Sequence, residues 1–219
     1  RERNVILSRG LQETPLIDLA SVPCTHGGRV PFQIENVLAA VAAAWQLDLP
    51  QHLVREALLT FQGNPVDNPA RFNVWESGGK TVIVFDGRNV SALDSLIAAL
   101  DGFPAQKRVV VYSAENDRRP ADIVSQGQRL GTAFDVAYLC HIEPPPTLAG
   151  ETSVQDRLIQ GLHAAESQGA NRCREVQRCD GWDDAVDAAW RRLQPGEVLV
   201  VQSTTVPATV RKLTQLVGR

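Results

Sequence analysis

The apolar positions of this chain change their period along its length. Asn4 to Ser8 reads as a short strand, followed by a polar link, the apolar stretch Pro15 to Val22, and a turn at Gly27-Gly28 leading into Val30-Pro31-Phe32. These pieces are too short and too few for a sheet of their own to be expected, and they read as the tail of a domain that begins elsewhere. The period then becomes helical from Ile34 to Trp45, with Val37, Leu38, Val41 and Trp45 on one face and alanines beside them. A second amphipathic helix is expected from about Pro50 to Phe61, with Leu53, Val54, Ala57, Leu58 and Phe61 inward. Gly63-Asn64-Pro65 and Asp67-Asn68-Pro69 interrupt the pattern. They place a boundary between Gln62 and Asn68 and divide the chain into residues 1–66 and 67–219.

Past that boundary, runs rich in β-branched residues alternate with helical patterns. The expected strands are Phe72 to Trp75, Thr81 to Phe85, Val109 to Tyr112, Val136 to Leu139, a weak one at Glu175-Val176, and Val198 to Gln202. The intervening helices carry Leu93, Leu96, Ile97 and Leu100; residues Pro120 to Leu130; Val154, Leu158, Ile159 and Leu162; Val186, Ala189, Trp190 and Leu193; and Val210, Leu213 and Leu216. Strands that are apolar throughout are strands covered on both faces. The fold class is therefore α/β, a mostly parallel Rossmann-like sheet with helices on both sides, entered through an antiparallel hairpin at Ser77-Gly78-Gly79-Lys80.

In such sheets ligands bind beyond the carboxyl ends of the strands, which points to the loops after Phe85, Tyr112 and Leu139. The first is Asp86-Gly87-Arg88-Asn89 and the second runs from Ser113 to Pro120 through Glu115, Asp117 and Arg118. Both feed helix N-termini, where free N–H groups favour anions. Acidic residues beside arginines suit a ligand of mixed charge, such as an amino acid or a nucleotide; capped helix starts with solvated ion pairs would give the same pattern.

Composition narrows the function classes. A hydrophobic content of 43% supports a sizeable core, and a net charge of −3 with no Lys/Arg block argues against a nucleic-acid partner. No apolar run is long enough to span a membrane and no signal-peptide pattern opens the chain, so a cytoplasmic protein is expected. The four cysteines form no C-x-x-C pair, and no metal site is expected. The absence of methionine, position 1 included, is what a portion of a longer chain would show.

Several segments, read in order, resemble the Mur ligases, and in particular the Mur-like part of the cyanophycin synthetases. Asn36-Val37-Leu38-Ala39-Ala40 is similar to the family's Asn-x-Leu-Ala-Ala helix. Asp67 to Asn73 is similar to its linker, usually written with Pro-Gly-Arg. Val82 to Leu93 stands at the place of its Asp-Tyr-x-His-Asn-Pro-x-x-Leu motif, and Asp117-Arg118-Arg119 resembles a Gly-Asp-Arg-Arg segment. The resemblance implies a Mur ligase C-terminal domain preceded by the tail of a central ATPase domain. It implies a ligase that activates a carboxylate as an acyl phosphate with ATP and Mg²⁺ before an amine attacks it.

By that resemblance Asn36, Arg71 and Asp86 are candidates for the nucleotide, and Arg88, Asn89, Asp117 and Arg118 for the amino-acid or peptide substrate. The implied partners are the upstream ATPase domain of the same polypeptide and, further, a second copy of the chain. No G-x-x-x-x-G-K-[ST] loop occurs in these residues, so an isolated chain is expected neither to bind ATP tightly nor to hydrolyse it. The departures from the pattern are Phe85 for Asp, Asp86 for Tyr, Arg88 for His, Val90 for Pro and Ala70 for Gly, with the proline run Glu143 to Thr147 where an arginine loop is usual. They keep open a second reading, a catalytically degenerate module with a scaffolding or oligomerising role. A dinucleotide-binding domain is disfavoured because no G-x-G-x-x-G follows a strand.

Overall fold

The computed structural model describes residues 3–115, 117–141, 152–202 and 205–218. Its contacts divide the chain into two compact units, residues 1–68 with 98–104, and residues 69–97 with 105–219.

In the first unit, β1 (Asn4–Arg9) and β2 (Gln12–Asp18) pair antiparallel, contrary to the expectation that these segments would form no sheet. The hairpin turns at Gly10-Leu11, where Gly10 takes the positive φ of 63° that a two-residue connection needs. Two strands alone are marginal, and helices cover their apolar face. Val5, Leu7, Leu16 and Ile17 pack with Val37 and Val41 of α1 (Pro31–Gln46), and Val54 and Leu58 of α2 (Gln51–Thr60) lie against that cluster. Helix α1 starts earlier than its apolar period suggests because Pro31 suits the first helical position, where no N–H is needed. Leu38, Leu53 and Phe61, expected to face inward, are exposed. Segment 98–104 joins this unit through Phe103, over whose ring the Arg29 guanidinium sits at 4.7 Å.

The second unit is the expected α/β sandwich. Among the described residues its six strands are β3 (Arg71–Ser77), β4 (Lys80–Phe85), β5 (Arg108–Tyr112), β6 (Val136–Leu139), β7 (Glu175–Arg178) and β8 (Val198–Gln202). They lie in the order β3-β4-β8-β5-β6-β7, with only β3 antiparallel to its neighbour. One face carries Val82, Val84, Val109, Val111, Tyr138, Leu199 and Val201, packed on α6 (Trp182–Arg192) and α7 (Val206–Val217) through Val186, Ala189, Leu193 and Leu213. The alternate positions Ile83, Val110, Ala137 and Val200 are equally buried, as strands covered on both sides require. Helices α3 (Val90–Leu100), α4 (Pro120–Ala133) and α5 (Val154–Ser167) supply further buried leucines.

Two residues at the entry to β3 depart from ideal geometry. Phe72 is the extra residue of a bulge in β3, fully buried at a positive φ of 68°. Ala70 just before it has φ 58°, so the position where the resemblance expects Gly does use the left-handed region.

Candidate functional site

The β strands converge at their carboxyl ends on two loops tied together by one side chain. Strand β8 lies between β4 and β5, and its last residue, Gln202, is buried. Its Oε1 accepts from the Ser113 N–H at 2.9 Å while its Nε2 donates to the Gly87 carbonyl at 3.1 Å. The loop after β4 and the loop after β5 are thus fixed to each other across the intervening strand. Gln202 was not among the expected site residues. The signal available was a lone amide closing an otherwise apolar strand.

On this frame four charged side chains meet. Arg88 donates from Nε to Asp86 Oδ1 at 2.8 Å and from Nη1 to Glu115 Oε1 at 2.6 Å. Arg118 takes the other oxygen of the same carboxylate, donating to Glu115 Oε2 from Nε at 3.0 Å and from Nη2 at 2.5 Å. Asp117, largely exposed, lies 3.7 Å from Arg118. The Arg88 guanidinium, first, and then Arg118 hold the Glu115 carboxyl below the usual carboxylate range, against its partial burial. Glu115, and next Asp86, raise Arg88 in return. Glu115 is the centre of this group, although the sequence reading placed it only within its loop and not among the candidates.

Asp86 and Arg88 on the loop after β4 and Asp117 and Arg118 on the loop after β5 are therefore brought together at the carboxyl edge of the sheet. Asn89 stands beside them as the cap of α3, its Oδ1 accepting from the Ala92 N–H at 2.8 Å. Phe85 lies over Gly87: a Cβ on that glycine would fall 1.9 Å from the Phe85 ring, so a side chain between Asp86 and Arg88 would have to displace that ring. Arg71 opens β3 opposite Phe85, at the same end of the sheet, and is exposed. Beneath the cluster, the Tyr112 hydroxyl donates to Gln126 Oε1 at 2.8 Å, and burial pushes that phenol far above its ordinary range.

Asn36 belongs to the first unit. It lies exposed on α1, its Nδ2 donating to Gln33 Oε1 at 3.1 Å, and it lines a cavity of about 710 Å³ with Gln33, Phe61, Asp67 and Asn68. Among the described residues no group of three or more His, Cys, Asp or Glu side chains converges as a metal site would need, and no helix is long and apolar enough to cross a membrane. The proline run Glu143 to Thr147 lies outside the described residues.

Comparison with known proteins agrees with this architecture. Residues 70–204 match the family described as Mur ligase, glutamate ligase domain. The cyanophycin synthetase of Trichormus variabilis is 31% identical over 114 residues, 52% of this chain and 13% of that protein. The UDP-N-acetylmuramate–L-alanine ligase of a Geobacter species is 27% identical over 187 residues, 82% of this chain and 36% of that protein. Among solved structures, E. coli FolC in complex with ADP, without folate substrate, aligns with a TM-score of 0.67 at 18% identity, covering 98% of this chain and 45% of that one. The chain thus spans less than half the length of each of these proteins.

Proposed function

Because this chain belongs to the Mur ligase family through its match to the glutamate ligase domain, we propose that it supplies the amino-acid side of an ATP-dependent amide-forming site. The crevice beyond β4 and β5 receives the amine substrate. The observation that carries this reading is the alternation of Asp86, Arg88, Glu115 and Arg118 within hydrogen-bonding reach at the strand ends. A free amino acid or peptide end presents an ammonium and a carboxylate a few ångströms apart, and only a surface with both charges in fixed positions complements both groups. Arg88 and Arg118 are the groups to hold the carboxylate and Asp117 the one to accept from the ammonium, while Asp86, which fixes Arg88, is kept for the nucleotide side.

ATP with Mg²⁺ supplies the phosphoryl group that activates the partner carboxylate. Asn36, with an amide oxygen left to accept, is the residue to read the base, and Arg71 at the start of β3 the one to reach phosphate or ribose oxygens. The phosphate-cradling loop is not within these 219 residues, so the reaction belongs to the whole protein in which this region acts.

The test is amino-acid-dependent release of phosphate by that whole protein, with detection of the amide. Losing one charged hydrogen bond is worth about 1.5–3 kcal/mol, so Arg71→Ala and Asp86→Ala are each expected to lower the rate about tenfold or more. Unchanged rates in both would contradict the assignment. A second reading, a degenerate scaffold, is favoured by the Phe85 ring over Gly87 and by the mutual satisfaction of the four charges. ATP-dependent ligation by the whole protein would rule it out.

A further inference from the structure

We propose that Glu115 is a built-in placeholder for a ligand carboxylate: it fills the clamp between Arg88 and Arg118 and leaves when a carboxylate ligand enters. This rests on the amino-acid reading of the crevice and goes beyond it by naming the group bound and a residue that competes for its place.

The geometry is that of a bound ligand. Each oxygen of the Glu115 carboxylate meets a different arginine, Oε1 the Nη1 of Arg88 and Oε2 the Nε and Nη2 of Arg118. Two guanidiniums closing on one carboxylate is how proteins hold carboxylate ligands, because the planar forks match its oxygens. Here the carboxylate comes from the same loop as Arg118, three residues before it. It requires no fold-wide contact to stay and none to leave.

The Arg88 half of the clamp does not depend on Glu115 for its position, whereas Arg118 is held by Glu115 itself, with Asp117 at 3.7 Å beside it. Arg88 remains anchored through its Nε to Asp86, and the loop beneath stays tied to β8 by Gln202. With Glu115 displaced, Asp86, Arg88, Asp117 and Arg118 sum to zero charge, so an incoming carboxylate restores the charge that the five groups have now. Both loops run into the N-termini of α3 and α4, which favour an anion at this spot whichever molecule supplies it. The side chains of Glu115, Arg88 and Arg118 are 22%, 37% and 37% exposed, so the exchange needs no opening of the core.

The experiment titrates glutarate, which carries the Glu115 carboxylate on a free molecule, into wild-type protein and into Glu115→Ala and Glu115→Gln by calorimetry at fixed ionic strength. Glutaramide serves as the uncharged control. Removal of the competing carboxylate is expected to tighten glutarate binding about tenfold or more in Glu115→Ala, with a change in the same direction in Glu115→Gln, which keeps the side-chain shape. Adding Arg88→Ala and Arg118→Ala should abolish the gain, and glutaramide should show none.

Binding no tighter in either Glu115 variant than in wild type would overturn the proposal, as would a gain that survives loss of both arginines. A ligase with no gain would reject the placeholder and leave the amino-acid reading standing. A gain in a protein with no ligase activity would do the reverse.

Discussion

Ala70 and Phe72 show how single residues in this fold hold conformations that their side chains resist. A non-glycine residue in the left-handed region costs about 1–2 kcal/mol. At Ala70, glycine would relieve that, but it would lose a buried methyl worth about 0.8 kcal/mol and gain about 0.4–1 kcal/mol of unfolded-state freedom. The contributions nearly cancel, so Ala70→Gly is expected to leave the urea midpoint almost unchanged. Ala70→Val puts a β-branched side chain at positive φ in a fully buried position and should cost about 2–3 kcal/mol by the same measurement. The Ala70 N–H donates to Asn73 Oδ1 at 2.6 Å. Asn73→Ala would orphan that buried donor and is expected to cost about 1–3 kcal/mol. The sequence marked position 70 as a departure from a glycine pattern. It could not reveal Phe72, because a fully buried phenylalanine at positive φ follows from the bulge opposite β4 and not from any local preference. The candidate site was legible to the same extent: the charged loops after β4 and β5 could be named, but the meeting of Glu115 with two arginines depends on loop geometry that no spacing encodes.

Helices α4 and α5 illustrate how element packing can hide in ordinary-looking residues. A Cβ at Gly127 would stand 2.1 Å from the Leu158 carbonyl oxygen, and one at Gly161 would stand 2.1 Å from that of Val124. The two helices therefore cross backbone against backbone. In an exposed helix, Gly→Ala stabilises by up to about 1 kcal/mol. At these positions the added methyl has no space and meets main chain, which cannot swing aside, so Gly127→Ala and Gly161→Ala are each expected to destabilise by about 2–3 kcal/mol in urea unfolding. The apolar period located both helices, but their glycines resemble chance interruptions. The informative feature was the four-residue spacing of Gly127 and Gly131, a small-residue stripe of the kind that lets helices approach closely. The hairpin of β1 and β2 was missed for a related reason. Its two short strands gain their stability from α1 and α2, and only Gly10 in a two-residue gap hinted at the turn.

For the whole molecule, the α/β sheet was legible because burial on both faces leaves nearly continuous Val/Ile/Leu runs, whereas the order β4-β8-β5 was not, because β8 is inserted by a crossover from the far end of the chain. The same scale sets the response to acid. Arg88 lowers Glu115, Arg192 lowers Glu175, and Ser153 with Arg178 lowers Asp156; Asp135 would be raised by burial, but Arg172 and the Arg108 N–H take it below its ordinary value. The unfolded chain takes up these protons near pH 4 and the folded one only at lower pH, so stability is fully present above about pH 5 and is lost as pH falls below it. Urea unfolding at pH 7, 5, 4 and 3 should follow that course, with a shallower fall in Glu115→Gln. The central claim, that the crevice beyond β4 and β5 binds the amino-acid substrate, is tested most directly by the Michaelis constants of the whole protein carrying Arg118→Ala. The account predicts a KM for the amino acid raised about tenfold or more with the KM for ATP within about twofold of wild type; an unchanged amino-acid KM, or a shift falling on ATP instead, would contradict it.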